Sequence, residues 1–151
     1  NPSGEPERDR TFFMPIELKA ATKTMIVKVY FVDKTTAEDF SCKNVIARER
    51  IVPKTESVAR VALEELLKGV NQVEDEKGYF SSINSGVKIQ SLKIENNTAY
   101  VDFNDQLERA VGGSCMVTMI RAQIIETLKQ FSTVKNVVIS INGRIDDILQ
   151  P

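Results

Sequence analysis

The sequence predicts an α+β domain, a two-layer sandwich in which two helices pack on one face of a mixed sheet. Short segments rich in β-branched residues alternate with two segments of helical periodicity, which gives the element order β-β-α-β-β-α-β. The chain has 151 residues, a length typical of one domain and sufficient to bury a core without a metal or disulfide.

The first two strands lie near the start of the domain. Residues 25–32 read MIVKVYFV, and this density of β-branched and aromatic residues predicts a central strand with Val27, Val29 and Phe31 on one face. Residues 45–53, VIARERIVP, predict a second strand that ends at its proline. Arg48 and Arg50 share one face of that strand and could bind an anion, although such a pair more often faces solvent.

Residues 55–69 predict the first helix. Thr55 is a suitable N-cap and Gly69 a suitable end. Apolar residues recur at i, i+4 spacing from Val58 and Ala59, while the opposite side is charged, so the helix should cover a sheet with one face in water. A polar connection follows over residues 70–86, with a short helical turn at 74–77.

The segments VKIQSLKIE and TAYVDF predict a hairpin with its turn at Asn96-Asn97, because asparagine tolerates positive φ. The alternation of Ala99, Val101 and Phe103 is regular, but in the partner strand its phase slips. This slip predicts a bulge near residues 90–91.

The second long helix is predicted over residues 114–131. Its apolar stripe consists of Met116, Ile120, Ile124 and Leu128. Its polar residues, Gln123 and Gln130 among them, are expected to face mostly outward. The last strand is VKNVVISIN, followed by a turn at Asn142-Gly143.

Three regions follow from these elements. Residues 1–24 contain three of the five prolines and many charges, and they predict a flexible leader or tether in which Phe12, Phe13 and Met14 could dock on another surface. Residues 25–145 form the domain. Residues 146–151 are expected to form a C-terminal tail.

Composition excludes several classes of function. Lys plus Arg is 20 and Asp plus Glu is 21, a net charge of −1, which argues against a general nucleic-acid binder. The chain has no histidine, so Ser-His and Cys-His catalysis and histidine-ligated metals are ruled out. Two cysteines are too few for a structural zinc site. No metal or other cofactor is therefore predicted, and no apolar run reaches the roughly 20 residues that span a bilayer.

The best enzyme candidate is the carboxylate group of Asp102, Asp105 and Glu108 in VDFNDQLE. These acids follow a strand and could converge on a metal or a water molecule in a hydrolase. The alternative, which we favour, is that Asp105 caps a helical turn while the other two face solvent. We therefore predict no catalytic residue, and we retain Arg48, Arg50, Asp102 and Asp105 as a candidate ligand surface.

Taken together, the segments resemble the GerMN domain family of sporulation and spore germination proteins. The resemblance covers residues 25–143 and is carried by VKVYFVD, IVPKTESVARVALEELLKG, GYFSSINSGVKIQSLKIENNTAYVDFNDQL and GGSCMVTMIRAQIIETLKQFSTVKNVVISINGR. Asn96-Asn97 departs from the family pattern, which usually has a glycine in that turn. The resemblance implies a fold similar to the ring-building domains of sporulation channels, and no catalytic residue belongs to the family pattern.

The resemblance also implies an extracytoplasmic domain of a lipoprotein or membrane-anchored envelope protein, on the outer face of the cytoplasmic membrane. It implies an interaction or scaffolding role, with a protein partner or self-association, and contact with the membrane only through an N-terminal anchor that has been removed. Binding of peptidoglycan or another glycan is the alternative. In an exported protein, Cys42 and Cys115 could form a disulfide, and we take this bond as a hypothesis.

Overall fold

The computed structural model describes residues 23–34 and 42–149. Within these ranges it contains six strands, three α-helices and one 3-10 helix. The strands are β1 (Thr24–Asp33), β2 (Val45–Pro53), β3 (Tyr79–Phe80), β4 (Ile89–Glu95), β5 (Thr98–Phe103) and β6 (Asn136–Ile141). The α-helices are α1 (Val58–Leu67), α2 (Gln72–Glu76) and α3 (Ser114–Lys129), and the 3-10 helix spans Asp105–Glu108. The predicted α+β class is confirmed, with α2 and β3 added to the predicted order.

The strands divide between two three-stranded sheets, where the sequence had suggested one. The first sheet has the order β2-β1-β3 and is antiparallel, and the second has the order β4-β5-β6. In the second sheet β4 and β5 form the antiparallel hairpin, while β5 and β6 are parallel. A parallel pair needs a crossover connection, and α3 supplies it. The second sheet is therefore mixed, as predicted.

Gln123 of α3 and Gln130, the C-cap residue of that helix, explain why β1 does not continue into the second sheet. The side chain of Gln123 donates to the carbonyl of Tyr30 at 3.0 Å and accepts from the N–H of Ser82 at 2.8 Å. Gln130 bonds to Lys28 in a similar way. The prediction that Gln123 faces outward was wrong, because it is fully buried where α3 satisfies the open edge of β1.

One hydrophobic core joins both sheets to both long helices. The predicted inward faces are confirmed, since Val27, Val29 and Phe31 of β1 are buried, as are the alternating apolar residues of β5. The main cluster includes Phe31, Leu63, Leu66, Val101, Phe103, Ile120, Ile124, Leu128, Ile139 and Ile141. Because α3 contacts β1 and β6, it is the element that holds the two sheets on one core.

Local signals for turns were mostly accurate. Asn96 and Asn97 have φ of 51° and 65°, as the predicted hairpin turn requires. The pairing register shifts between Ile89 and Ser91, which confirms the bulge. The predicted cap at Thr55 was wrong, because its hydroxyl accepts from the N–H of Ser57 at 3.1 Å and forms a turn before the helix.

The described part of the chain extends beyond the predicted domain at its C-terminal end. Ile148 and Leu149 are buried in the main cluster, so the packed chain runs past the predicted tail boundary at residue 146. At the other end Thr24 begins β1, and residues 1–22 of the predicted leader lie outside the described residues. No helix within the described ranges is both long enough and apolar enough to cross a membrane.

Candidate functional site

The arginine pair of β2 points inward. Arg50 pairs with Val27 and Arg48 with Val29 across the β1–β2 ladder, and directly paired side chains lie on the same face of a sheet. Because both valines are buried, the arginines lie on the core side of the edge strand. The alternative of a solvent-facing pair was therefore wrong.

The arginines hold an anion that belongs to the protein itself. Both oxygens of Glu74 accept from Arg50, at 2.7 and 2.6 Å, and Arg48 donates to the same carboxylate at 3.1 Å. Only 1% of Glu74 is exposed. The guanidinium groups also lie over aromatic rings, Arg48 at 5.4 Å from the centre of Tyr79 and Arg50 at 5.5 Å from that of Phe31, and this geometry is attractive for a cation.

The charge state of this cluster follows from its contacts. Burial raises the pKa of the Glu74 carboxyl, but hydrogen bonds from Arg50, the backbone of Asn71 and Arg48 outweigh burial and lower that pKa to about 2. The hydrogen bond to Glu74 in turn raises the pKa of Arg50. Glu74 also forms a capping box with Asn71. The cluster thus fastens α2 to β2, and an external ligand would have to displace Glu74 from the arginines.

Asp102 lies on the second sheet with different partners. One of its carboxylate oxygens accepts from the Ser140 hydroxyl at 2.6 Å and from the N–H of Gly143 at 2.8 Å. These bonds join the ends of β5 and β6 to the turn that follows. Within the candidate ligand surface, the arginines therefore lie on the first sheet and Asp102 on the second, and each is engaged by its own neighbours.

The other two acids of the carboxylate group are paired with arginines. Asp105 begins the 3-10 helix, where Asn104 holds the cap position, and accepts from Arg109 at 3.2 Å. Glu108 accepts from Arg144. The described part of the chain contains no group of three or more acidic, cysteine or histidine side chains arranged to hold a metal ion.

Cys42 and Cys115 form a disulfide, with their Cα atoms 5.4 Å apart. Cys42 lies just before β2, and Cys115 lies in the first turn of α3. The bond therefore fixes the start of α3 against the first sheet. This confirms the hypothesis drawn from the family resemblance.

A groove of about 560 Å³ opens beside the disulfide, between α3 and the first sheet. Five of its eight lining residues are uncharged, and three are charged. It is lined by Tyr30, Lys43, Val45, Thr118, Arg121, Ala122, Ile125 and Glu126. This groove was not predicted from the sequence, although the spacing of Thr118, Ala122 and Ile125 indicates a second face of the helix.

The edge strand β4 borders a second groove of about 430 Å³. Leu92 and Ile94 of β4, Val58 at the start of α1 and Phe131 contribute its apolar lining. Ile94 is 37% exposed. An edge strand beside an apolar groove is the usual geometry for binding an extended peptide.

The outward face of the second sheet carries an aromatic side chain. Tyr100 is 43% exposed, and the ammonium group of Lys93 on the neighbouring strand lies 6.0 Å from its ring centre. Asp102 lies on the same face as Tyr100, two residues further along β5. This face therefore carries both aromatic and charged side chains.

Comparison with known proteins identifies the family. The model of the Germane family, described as sporulation and spore germination, matches residues 28–147, which include every element from β2 to β6. The chain belongs to the Germane family. No curated protein sequence matches it significantly.

Solved structures support the assignment of a Germane domain. The first GerMN domain of the sporulation protein GerM from Bacillus subtilis has a TM-score of 0.60 and 25% identity, with 80% of this chain and 85% of that chain covered. The tandem GerMN domains of the same protein have a TM-score of 0.60 and 22% identity, with 82% of this chain and 41% of that chain covered. A structure described as a putative lipoprotein from Clostridium perfringens shares the fold, with a TM-score of 0.53, 16% identity, and 83% and 80% of the two chains covered.

Proposed function

We propose that this Germane domain is a non-catalytic, extracytoplasmic interaction domain of a bacterial envelope protein. The observation that carries the proposal is the disulfide between Cys42 and Cys115. Structural disulfides persist in oxidising compartments and are rare in the cytosol. The family match to sporulation and germination domains and the lipoprotein description of the Clostridium perfringens structure support the same location.

The contacts of the candidate residues support a role without catalysis. The carboxylate of Glu74 binds both members of the arginine pair, and Asp102, Asp105 and Glu108 each bond to a neighbouring serine, backbone or arginine group. Their polar atoms are thus used to hold the fold together. A hydrolase built on these acids would need them to share one water molecule or metal ion.

The interaction surface that we propose is the edge of β4 with the apolar groove beside it. The strand forms the outer edge of the second sheet, and its alternate residues Leu92 and Ile94 contribute to the groove. An extended segment of a protein partner would add to this edge through backbone hydrogen bonds and place apolar side chains in the groove. The charged residues Lys93 and Glu95 limit non-specific pairing at such an edge.

Cross-linking in native envelope extracts tests this surface. The wild-type domain should capture a defined envelope protein, and Ile94→Asp should lose that capture. Val73→Asp is the matched control, since Val73 is 54% exposed and lies on α2, so this variant should capture the partner normally. Equal capture by both variants would place the interface elsewhere, and recovery of the protein from the cytosolic fraction would contradict the proposed location.

Glycan binding is the second candidate, and the exposed ring of Tyr100 beside Lys93 favours it. Sugars stack on exposed aromatic rings because ring faces offer apolar area with little loss of side-chain freedom. Sedimentation with purified cell wall distinguishes this candidate from protein binding. The wild-type domain should pellet with the wall and Tyr100→Ala should remain in solution, whereas a wild-type domain that stays in solution rejects the glycan proposal.

A further inference from the structure

The outer edge of the first sheet is formed by β2. All nine residues of this strand pair with β1 in one register, and within the ranges that the structure describes no strand pairs with its other edge. The N–H and C=O groups on such an edge can pair with an added extended chain. Strand β2 has no bulge, and its proline is its last residue, so this row of backbone groups is uninterrupted.

Alternate residues of β2 direct their backbone groups to the open edge. The backbone groups of Lys28 on β1 turn away from β2, because the glutamine at the C-cap of α3 binds both of them. Glu49 is directly opposite Lys28, so its groups turn away from β1 and reach the open edge. Its carbonyl accepts from the side chain of Arg50 at 3.1 Å and keeps a second lone pair for a partner. Ala47 and Ile51, two residues to either side, have the same orientation.

The core face of β2 carries more positive charge than its internal counter-ion balances. Arg48 and Arg50 share the single carboxylate of Glu74. Glu65 also acts on Arg50, but its carboxylate is paired with Lys68. Arg50 donates from both terminal nitrogens to Glu74, whereas Arg48 donates through Nε alone. Among the described residues no acceptor binds the terminal nitrogens of Arg48, whose side chain is 28% exposed.

The outward face of β2 presents an apolar side chain beside the same edge. Ile51 is 74% exposed, and Ile26, directly opposite it on β1, is 60% exposed. A strand added at the open edge would place one of its side chains next to Ile51 on this face. Because Arg48 and Ile51 are three residues apart, they lie on opposite faces. A fitting segment therefore has an acidic residue on one face for Arg48 and an apolar residue on the other for Ile51.

A second copy of the domain fits this edge poorly. Symmetric antiparallel pairing of β2 with itself, centred on residue 48, 49 or 50, would place an arginine of one copy opposite an arginine of the other. Like charges directly opposite each other destabilise a sheet. Inward-pointing charges on an edge strand also discourage pairing with arbitrary strands. Arg48 and Arg50 therefore select for a chain of negative charge.

We propose that the open edge of β2 binds an extended acidic segment of another protein. The segment adds a fourth strand to the first sheet through the backbone groups of Ala47, Glu49 and Ile51. One of its carboxylates pairs with the terminal nitrogens of Arg48, in the bidentate geometry that arginine favours. An apolar side chain on its other face packs on Ile51. This surface is separate from the edge of β4, and the inference does not depend on the partner proposed there.

A synthetic peptide of about eight residues, in which valine and glutamate alternate, is the probe, because its two faces are apolar and acidic. Fluorescence anisotropy of the labelled peptide should show saturable binding to the whole chain. A matched peptide of alternating valine and lysine should bind at least about 10-fold more weakly, since its charge is reversed. Arg48→Gln should weaken binding of the glutamate peptide several-fold and reduce its dependence on salt.

Two further variants test the backbone pairing and the apolar contact. Ala47→Pro should weaken binding by about 10-fold or more, because proline removes an N–H from the open edge and leaves the ladder to β1 intact. Ile51→Asp should weaken binding several-fold. Ile145→Asp is its matched control, since Ile145 is 52% exposed and lies beyond β6, and this variant should bind as the wild type does. Far-UV circular dichroism verifies that each variant is folded.

Several outcomes would overturn the proposal. These are the absence of saturable binding by the wild type, equal binding of the lysine peptide, and unchanged binding by folded Ala47→Pro or Arg48→Gln. Loss of binding in Ile94→Asp would also overturn it, because the peptide would then lie on the edge of β4. Sedimentation equilibrium of the protein alone tests the other occupant: self-association that Ala47→Pro abolishes would overturn an acidic partner and identify a second copy.

Discussion

Gln130 bonds to both backbone polar groups of Lys28. Its side-chain carbonyl accepts from the N–H of Lys28 at 2.9 Å, and its side-chain amide donates to the carbonyl of Lys28 at 2.7 Å. This is the pair of bonds that a residue of an adjacent antiparallel strand would make. One helix side chain therefore takes the place of a strand, and the first sheet ends there.

Replacing Gln130 by leucine should lower the free energy of unfolding by about 1 kcal/mol. The leucine fills a similar volume but leaves both backbone groups of Lys28 to pair with water, which reaches them because the site is exposed. Urea unfolding provides the measurement. Glu126→Gln, an exposed change one turn earlier on α3, is the control and should leave stability within about 0.5 kcal/mol.

Gln123→Leu should cost more, about 3 kcal/mol, because the groups it leaves are buried. The N–H of Ser82 and the carbonyl of Tyr30 would both lose their partner. Comparison of the two leucine variants by urea unfolding isolates the effect of burial. A smaller loss for Gln123→Leu than for Gln130→Leu would show that another group satisfies these atoms.

These contacts show which features the sequence could predict. The turn at Asn96-Asn97 and the inward faces of β1 and β5 were predictable, because backbone preference and period-two alternation are local properties. The roles of Gln123 and Gln130 were not, because a polar residue on a helix has the same local pattern whether it faces water or a strand edge. The backbone contacts of both follow only from where α3 lies.

The partner of the arginine pair was difficult to predict for a related reason. Helix α2 has five residues, too few for a periodic signal, and Glu74 is distant in sequence from β2. One local signal was available, since Asn71 followed three residues later by Glu74 fits the capping-box pattern. That pattern predicts the start of a helix but not the arginines that bind its glutamate.

The disulfide should account for a large part of the stability of the domain. It closes a loop with a sequence separation of 73 residues, and the chain-entropy model gives about 4 kcal/mol for a loop of this size. Native protein denatured without reductant should contain no alkylatable thiol, and reduction should lower the free energy of unfolding by that amount. The double variant Cys42→Ala/Cys115→Ala should be insensitive to reductant, and two reactive thiols in the unreduced wild type would contradict the bond.

Glu74 should make the stability of the domain depend on acid pH. Its pKa of about 2 in the folded protein lies below the ordinary value of 4.5, so the ionised carboxylate stabilises the fold above about pH 4.5 and that contribution is lost as the pH falls toward 2. Glu74→Gln removes the charge at every pH and takes away the buried carboxylate that Arg48 and Arg50 share. We expect it to cost about 3 kcal/mol near neutral pH.

The decisive measurement is the difference in unfolding free energy between wild type and Glu74→Gln as a function of pH. This difference should be largest near neutral pH and shrink below about pH 4.5, because protonation of the wild-type carboxyl makes the two proteins alike. Glu76→Gln changes an exposed carboxylate on the same helix and should show no comparable trend. A constant difference between Glu74→Gln and wild type down to about pH 2 would contradict this account, because glutamine can keep the capping bond to the backbone of Asn71 and lacks only the charge that the arginines bind.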